Sequence, residues 1–187
     1  MSIDQFQEFF DYCVGAWRTE RTYHDLTHQE IERSRTKFVI DPISRETKVK
    51  VLRDNEQSIK QNLEELVGYH LAFETVSEKG DRVSQQWNIL FIPQKFEFPY
   101  LEGDYLRDQA YEEAKPMTAH FRYNIQTREL LMTTHYTQVV SVDSITFVNP
   151  KLRIRKILNY QRPREKRPLE KVILAGFGVE QKLVTKA

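Results

Sequence analysis

The residues best suited to binding chemistry are two arginines, Arg153 and Arg155, which alternate with apolar residues in the basic run at 151–156. On a strand both side chains fall on one face, because successive side chains point to opposite sides. Exposure of both at the surface is the simplest interpretation. On the inner face of a barrel, however, two guanidinium groups could hold ligand carboxylates through paired, charge-assisted hydrogen bonds.

A third arginine, Arg21, lies in a run with the same two-residue period. Gly15 and Trp17 open a predicted strand directly after a predicted helix, and Thr19 and Arg21 share the face of Trp17. This order of elements is typical of small ligand-binding barrels of the lipocalin kind, in which the tryptophan fills one end. An inward Arg21 in an apolar barrel predicts an anionic ligand.

Acid–base chemistry has two further candidates. Glu180 follows an apolar, glycine-containing run at 175–179, so its carboxylate either faces solvent or is buried with a partner. If buried, it is a candidate for a raised pKa or for accepting hydrogen bonds from ligand N–H groups. His135 and Tyr136 stand in the middle of a strand-like run at 131–137.

Metal chemistry and thiol chemistry are less favoured. His24 and His28 have the spacing of metal ligands, but residues four apart converge only on a helix, and His24 ends a predicted strand. No metal site is therefore expected. Cys13 could act as a nucleophile with a histidine, but its place on an apolar helix stripe favours a buried structural thiol.

These side chains are positioned by one helix and about nine strands. Phe6, Phe9, Phe10 and Cys13 have helical spacing, which predicts a helix that packs across a barrel end. Two-residue periods and turn signals then predict strands at 17–24, 30–40, 69–76, 83–92, 116–125, 129–140, 144–148, 152–159 and 171–184.

Two stretches do not follow this pattern. Residues 43–67 favour a helix or a turn and a helix, whereas 93–113 is irregular and aromatic. The latter is predicted as a lid or binding loop, or as a loop folded over the barrel wall. The fold prediction is a mainly β, lipocalin-like up-and-down antiparallel barrel of nine to ten strands, with an N-terminal helix and one or two short helices. Residues 1–187 form a single domain in this interpretation.

Composition excludes several classes of protein. The 28 basic and 27 acidic residues give a net charge of +1, which argues against a nucleic-acid binder. The single cysteine excludes an internal disulfide and favours a reducing compartment. No signal pattern is present, and no apolar run approaches the roughly 18 residues of a membrane span. A soluble intracellular protein is expected.

Four motifs resemble those of the S-type phycobiliprotein lyases, a lipocalin-like family that attaches open-chain bilins to cysteines of phycobiliproteins. Residues 15–24 resemble the family pattern Gly-x-Trp-x-Ser-x-Arg-Thr-x-His. Residues 103–111, with Pro116 after them, resemble Gly-x-x-Leu-Arg-x-x-x-Tyr followed by a proline. Residues 149–155 resemble Asn/Ser-Pro-Asn-Leu-Arg-x-Arg, and 177–180 resemble a final strand with an acidic residue after phenylalanine.

The resemblance implies a role for each candidate residue. Arg21, Arg153 and Arg155 would bind the bilin propionates. Glu180 and His135 would stabilise the protonated tetrapyrrole as catalytic groups. The remaining bilin-binding positions that it implies are Trp17, His24 and Tyr136, with Tyr136 packing on a ring. No cofactor is implied, since the bilin is the substrate.

Two departures from the family pattern leave the activity open. The family's Thr-Thr-Glu-Tyr-Glu reads Thr-Thr-His-Tyr-Thr at 133–137, and its Glu-Arg-x-Trp becomes Asp-Ser-Ile-Thr at 143–146. The chain is then either a lyase with altered bilin preference, or a non-catalytic partner subunit or bilin chaperone for a paralogue. A lipocalin-like binder of another apolar acid is the third alternative.

The resemblance also implies partners and a compartment. The expected partners are a bilin such as phycocyanobilin or phycoerythrobilin, an apo-phycobiliprotein subunit, and a second lyase chain in a homodimer or a heterodimer with a paralogue. The compartment would be the cyanobacterial cytoplasm or the plastid stroma.

Overall fold

The computed structural model describes residues 2–108, 117–164 and 167–183. The motif residues Tyr111 and Pro116, and the predicted strand end at Val184, lie outside these ranges. The helices are α1, Ser2–Cys13, and α2, Arg45–Asp54, with a single 3-10 turn at Leu63–Glu65. The strands are β1 Gly15–Asp25, β2 Glu30–Pro42, β3 Gly68–Ser77, β4 Arg82–Glu97, β5 Tyr100–Arg107, β6 Met117–Asn124, β7 Glu129–His135, β8 Val139–Asn149, β9 Leu152–Gln161 and β10 Val172–Lys182.

The ten strands form a closed up-and-down barrel. Each strand pairs in antiparallel fashion with its neighbours in sequence, and β1 also pairs with β10, with Thr19 opposite Glu180. Closure leaves no unpaired sheet edge. The predicted fold is confirmed. No helix in the described part of the chain is long and apolar enough to cross a membrane.

The two-residue period of the sequence decides which side chains enter the barrel. In β2 the inward residues Ser34, Thr36, Phe38 and Ile40 are buried, while the residues between them are exposed. The same alternation runs through β6, β7 and the second half of β10. The core is therefore the inside of the barrel.

The apolar face of α1 fills one end of the barrel, as the helical spacing predicts. Phe6 stacks on Phe121 with ring centroids 5.2 Å apart, and Phe9 meets Phe147 edge-on at 5.0 Å. Trp17 is fully buried, and its indole Nε1 donates a hydrogen bond of 2.7 Å to the Cys13 carbonyl. That bond fixes the end of α1 to the start of β1.

The prediction of a lid or loop at 93–113 is wrong for its described part. β4 continues to Glu97 and pairs with β5, which the sequence pattern missed. Pro93 and Gly103 interrupt the strand signal, yet they lie opposite each other, where the ladder has a bulge. A Cβ on Gly103 would lie 2.1 Å from the Ile92 carbonyl oxygen, so only glycine fits this close approach. Residues 109–113 lie outside the described residues.

Two other boundaries differ from the predictions. The strand predicted at 129–140 is two strands, because the chain turns after His135 and the Tyr136 N–H donates to the Val139 carbonyl at 2.9 Å. The helix predicted within 43–67 is confirmed only for α2. After it, Ile59, Leu63 and Leu66 pack without an α-helix against a second apolar cluster formed by α2, β4 and β5.

We expect Phe9→Ala to lower the free energy of unfolding by about 3–5 kcal/mol, because it removes a buried ring and leaves a cavity under α1. Ile3→Ala on the same helix is the matched control, since Ile3 is 49% exposed. It should change stability by no more than about 0.5 kcal/mol. Urea unfolding of both variants measures the difference, and equal losses would contradict the packing of α1 described above.

Candidate functional site

The barrel encloses a cavity of about 550 Å³, which lies in the size range of small-molecule sites. Its floor is formed by residues of α1, including Phe9 and Phe10, and its walls are largely apolar. Apolar side chains from strands on several sides contribute to these walls: Leu71, Phe73, Ile89, Leu130, Met132, Ile145 and Ile157. A ligand that fills this space must itself be mostly apolar.

Four arginines interrupt the apolar walls. Arg153 and Arg155 on β9 both face inward, so the alternative of an inner face is the correct one and exposure at the surface is not, and Arg21 on β1 faces inward with Thr19. The fourth, Arg107, is the last residue of β5. The structure therefore brings together the three arginines predicted from the sequence and adds one that was not predicted.

Glu180 is the centre of the first arginine group. Its side chain is fully buried on β10, directly opposite Arg153 on β9. One carboxylate oxygen accepts a bond of 2.6 Å from Arg153 Nε, and the other accepts one of 3.2 Å from Arg21 Nη2. Both oxygens are thus bonded to arginines, and Glu180 does not line the cavity.

The electrostatics of Glu180 contradict one expectation. Burial by itself raises the pKa of this carboxyl group, but the positive charges of Arg153, Arg155 and Arg21 outweigh burial. The pKa of Glu180 is therefore lowered, so of the two alternatives for a buried Glu180 the raised pKa is not the one found. At neutral pH an ionised Glu180 holds Arg21 and Arg153 in place.

Trp17 and Cys13 support Arg153 from below. The guanidinium carbon of Arg153 lies 4.7 Å from the Trp17 ring centroid, and Arg153 Nη1 is 3.0 Å from Cys13 Sγ. The prediction that Trp17 contacts the ligand is wrong, because Trp17 lies beneath the lining of the cavity. Burial raises the pKa of the Cys13 thiol to about 11, which favours the structural thiol over the nucleophile.

Asp143 on β8 forms a second ion pair, with Arg155. Arg155 Nε donates to both carboxylate oxygens, at 2.9 and 3.0 Å, and its Nη2 also contacts Asp143 Oδ2. Unlike Glu180, Asp143 lines the cavity. In the sequence Asp143 is only the first residue of the segment 143–146 that differs from the family pattern. Its place in the cavity wall could not be predicted without the fold.

Two predicted site residues face away from the cavity. His24 lies between Tyr23 and Asp25, which both line the cavity, so its side chain falls on the outer face of β1. His135 is exposed and follows Thr134, which lines the cavity. Adjacent strand residues cannot share a face. The predictions that placed His24 and His135 in the pocket are therefore wrong.

Tyr136 does line the cavity, as predicted, and its hydroxyl accepts a 2.8 Å hydrogen bond from Arg107 Nη2. The guanidinium carbon of Arg107 lies 5.7, 5.9 and 5.7 Å from the ring centroids of Trp87, Tyr105 and Tyr136. Sequence reasoning missed this group because it treated 93–113 as a loop. The alternation of Gly103, Tyr105 and Arg107 was the available signal.

Several buried polar atoms of the cavity wall have no hydrogen-bond partner within the described ranges. An unpaired buried group costs about 1–3 kcal/mol, so such atoms call for an explanation. The atoms that belong to residues lining this cavity are Arg21 Nε, Ser34 Oγ, Trp87 Nε1, Arg107 Nε and Asn159 Oδ1. Each of these atoms is itself buried behind the cavity surface, so a ligand can bond to it only after the side chain moves.

Charge changes sign along the cavity. The arginines lie on its inner walls, whereas acidic side chains line it where β1, β2 and β4 reach the end of the barrel opposite α1. These acidic residues are Asp25, Glu30, Glu32 and Asp81. The arrangement favours a bound ligand whose carboxylates lie against the arginines and away from the acidic rim.

The known proteins that this chain resembles are CpcS/CpeS proteins. The family model described as "CpeS-like protein" matches residues 5–183. The "Chromophore lyase CpcS/CpeS 1" of Synechococcus sp. (strain JA-3-3Ab) is 53% identical over 97% of this chain and 98% of its own. The "Phycocyanobilin lyase subunit CpcS" of Picosynechococcus sp. is 21% identical over 82% of this chain and 77% of its own.

A solved structure has the same fold. The S-type phycobiliprotein lyase CPES from Guillardia theta superposes with a TM-score of 0.75 at 17% identity, covering 97% of this chain and 94% of that one.

We expect Glu180→Gln to destabilise the protein by about 3–5 kcal/mol at neutral pH, because it leaves the buried Arg153 and the partly buried Arg21 without their carboxylate. The lowered pKa of Glu180 means that its ionised form contributes stability above the ordinary value of 4.5, and that this contribution is lost as the pH falls below it.

Urea unfolding at neutral pH and at about pH 3.5 measures both effects. Acid should therefore cost the wild-type protein more stability than it costs Glu180→Gln. The control is Glu20→Gln, whose carboxylate pairs with Arg35 on the outer face and is 79% exposed. A pH dependence that is the same in wild type and Glu180→Gln would refute the ionised, arginine-bound Glu180.

Proposed function

Because the chain belongs to the CpeS-like family, that of the S-type phycobiliprotein lyases, we propose that it is a chromophore lyase. It binds an open-chain tetrapyrrole inside the barrel and attaches it to a cysteine of a phycobiliprotein subunit. The observation that carries this proposal is the cavity itself, whose apolar walls hold arginines. A bilin matches that lining, since it combines apolar rings with two propionates and lactam oxygens.

The reaction is an addition. The acceptor's S–H adds across the exocyclic ethylidene double bond of ring A: the sulfur bonds to the ethylidene carbon, and the hydrogen goes to the ring carbon. No group leaves, and no electrons are exchanged with a third molecule. The barrel contributes by holding the bilin in one conformation, by excluding water, and by presenting ring A to the thiol. Positioning of this kind can contribute ~7 kcal/mol or more.

The contacts of the charged side chains assign each of them a role in bilin binding. Arg21 lines the cavity, and we assign it to a bilin propionate together with Arg153 and Arg155. Glu180 is a positioning residue, because it acts through Arg21 and Arg153. We assign to Asp143 the role predicted for His135, which is to stabilise the protonated tetrapyrrole. The carboxylate of Asp143 lines the cavity and can accept hydrogen bonds from pyrrole N–H groups.

A second candidate function is that of a partner subunit or bilin chaperone. One relative carries the word "subunit" in its name, and residues 133–137 lack both carboxylates of the family pattern. In this candidate the chain loads bilin but needs a paralogous lyase chain for transfer, in a heterodimer. As a lyase in its own right it would act alone or as a homodimer.

We expect Arg21→Met to weaken the binding of phycocyanobilin by roughly 10- to 100-fold, because one charge-assisted hydrogen bond is worth about 1.5–3 kcal/mol. Arg18→Met is the matched control: Arg18 lies on the same strand but faces outward, where it donates to Gln181. Titration followed by the absorbance change of the bilin gives both affinities. If Arg18→Met and Arg21→Met weaken binding equally, the inward assignment of Arg21 fails.

Transfer is tested by incubating the protein, phycocyanobilin or phycoerythrobilin, and an apo-phycobiliprotein subunit, with and without a paralogous lyase chain. We expect bilin colour that survives denaturation in the absence of the paralogue. Colour only with the paralogue would support the second candidate, and no colour in either mixture would contradict both. Asp143→Asn should slow transfer by about tenfold or more, whereas His135→Ala, on the outer face, should leave it unchanged.

A further inference from the structure

Arg107 differs from the other arginines of the cavity in having no carboxylate partner within the described ranges. Arg21 and Arg153 share Glu180, and Arg155 is paired with Asp143. The contacts described for the Arg107 guanidinium are the Tyr136 hydroxyl and the Met117 sulfur at 3.4 Å, while its Nε has no partner among the described residues. Only 7% of Arg107 is exposed. A buried cation without a counter-charge is costly, which sets this residue apart.

Resting on the proposed function, we propose that Arg107 is a second carboxylate-binding site of the cavity, which binds one propionate of the bilin while Arg21 binds the other. The aromatic rings of Trp87, Tyr105 and Tyr136 surround the guanidinium and stabilise its charge through their faces. The rings supply no carboxylate, and Arg107 lines the cavity, so a carboxylate of a bound ligand can pair with its guanidinium group.

The barrel topology separates the two anionic sites. In the closed ring of ten strands, β5 lies five steps from β10 in either direction, so Arg107 stands on the wall opposite Glu180. Arg107 also ends β5 at the open end, whereas Arg153 is the second residue of β9, near α1. A ligand held at both sites crosses the cavity obliquely and has a single orientation.

The wall that carries Arg107 is itself held in place. The Tyr105 hydroxyl is bonded to Thr134 Oγ1, and the Tyr136 carbonyl accepts a 2.7 Å bond from Arg162 Nη1. The aromatic surroundings of Arg107 are thereby fixed before the ligand binds. A preformed site loses less free energy to ordering when it is occupied.

Titration with biliverdin and with biliverdin dimethyl ester tests this assignment, since the ester keeps the ring system but carries two neutral methyl esters in place of the two ionised propionates. The wild-type protein should prefer the diacid. Arg107→Met should weaken diacid binding by roughly 10- to 100-fold and leave ester binding unchanged. Arg107→Lys should show an intermediate preference, because it keeps the charge but loses the paired donors. The double variant with Arg21→Met should show a smaller preference for the acid than either single variant, with the remainder due to Arg153 and Arg155.

Arg122→Met is the matched control, because Arg122 stacks over the Tyr100 ring at 4.8 Å on the outer face of β6. It should leave both affinities unchanged. An unchanged acid preference in Arg107→Met, or an equal loss for acid and ester, would overturn the proposal for Arg107 alone. A wild-type protein that binds neither biliverdin nor phycocyanobilin would overturn the proposed function as well.

Discussion

The buried ion pairs of Glu180 with Arg21 and Arg153 are the interaction on which the rest of the cavity depends. Three adjacent strands, β1, β10 and β9, each contribute one member, so the seam that closes the barrel also carries its most deeply buried charges. Removing these charges from water is costly, and only close pairing offsets that cost. Arg153 then reaches Trp17 and Cys13, which links the closing seam to α1.

The charges of the cavity serve two different purposes. Glu180 is out of reach of a ligand and makes the basic wall rigid, whereas Asp143 lines the open space. A pocket that must accept an acidic, flexible molecule needs both, because flexible arginines would lose entropy when they bind. Glu180, the carboxylate that the sequence indicated, therefore supports the site, whereas Asp143, which the sequence did not indicate, lines it.

Strand periodicity predicted the barrel and the inward face of Arg21, because these depend only on local alternation. It also placed Arg153 and Arg155 on one shared face, but it did not decide whether that face was the inner or the outer one. His24 is excluded from the pocket by that same alternation, since it follows Arg21 by an odd number of residues. His135 and Tyr136 are neighbours, and no local signal says which of them faces inward.

Other features depend on contacts between distant parts of the chain. β5 was missed because proline and glycine are typical of loops. Only the pairing of β4 with β5 shows that Pro93 and Gly103 lie opposite each other within the sheet. The lowered pKa of Glu180 results from arginines on two other strands, so no local pattern could indicate its direction.

The closure of one barrel end by α1 has a kinetic consequence. A chamber with a filled floor can be loaded and emptied only from the opposite side. If the acceptor subunit docks over this side, it also blocks the route by which a bilin enters, so the bilin must bind before the acceptor. Departure of the acceptor would then remove the attached bilin from the cavity in the same step.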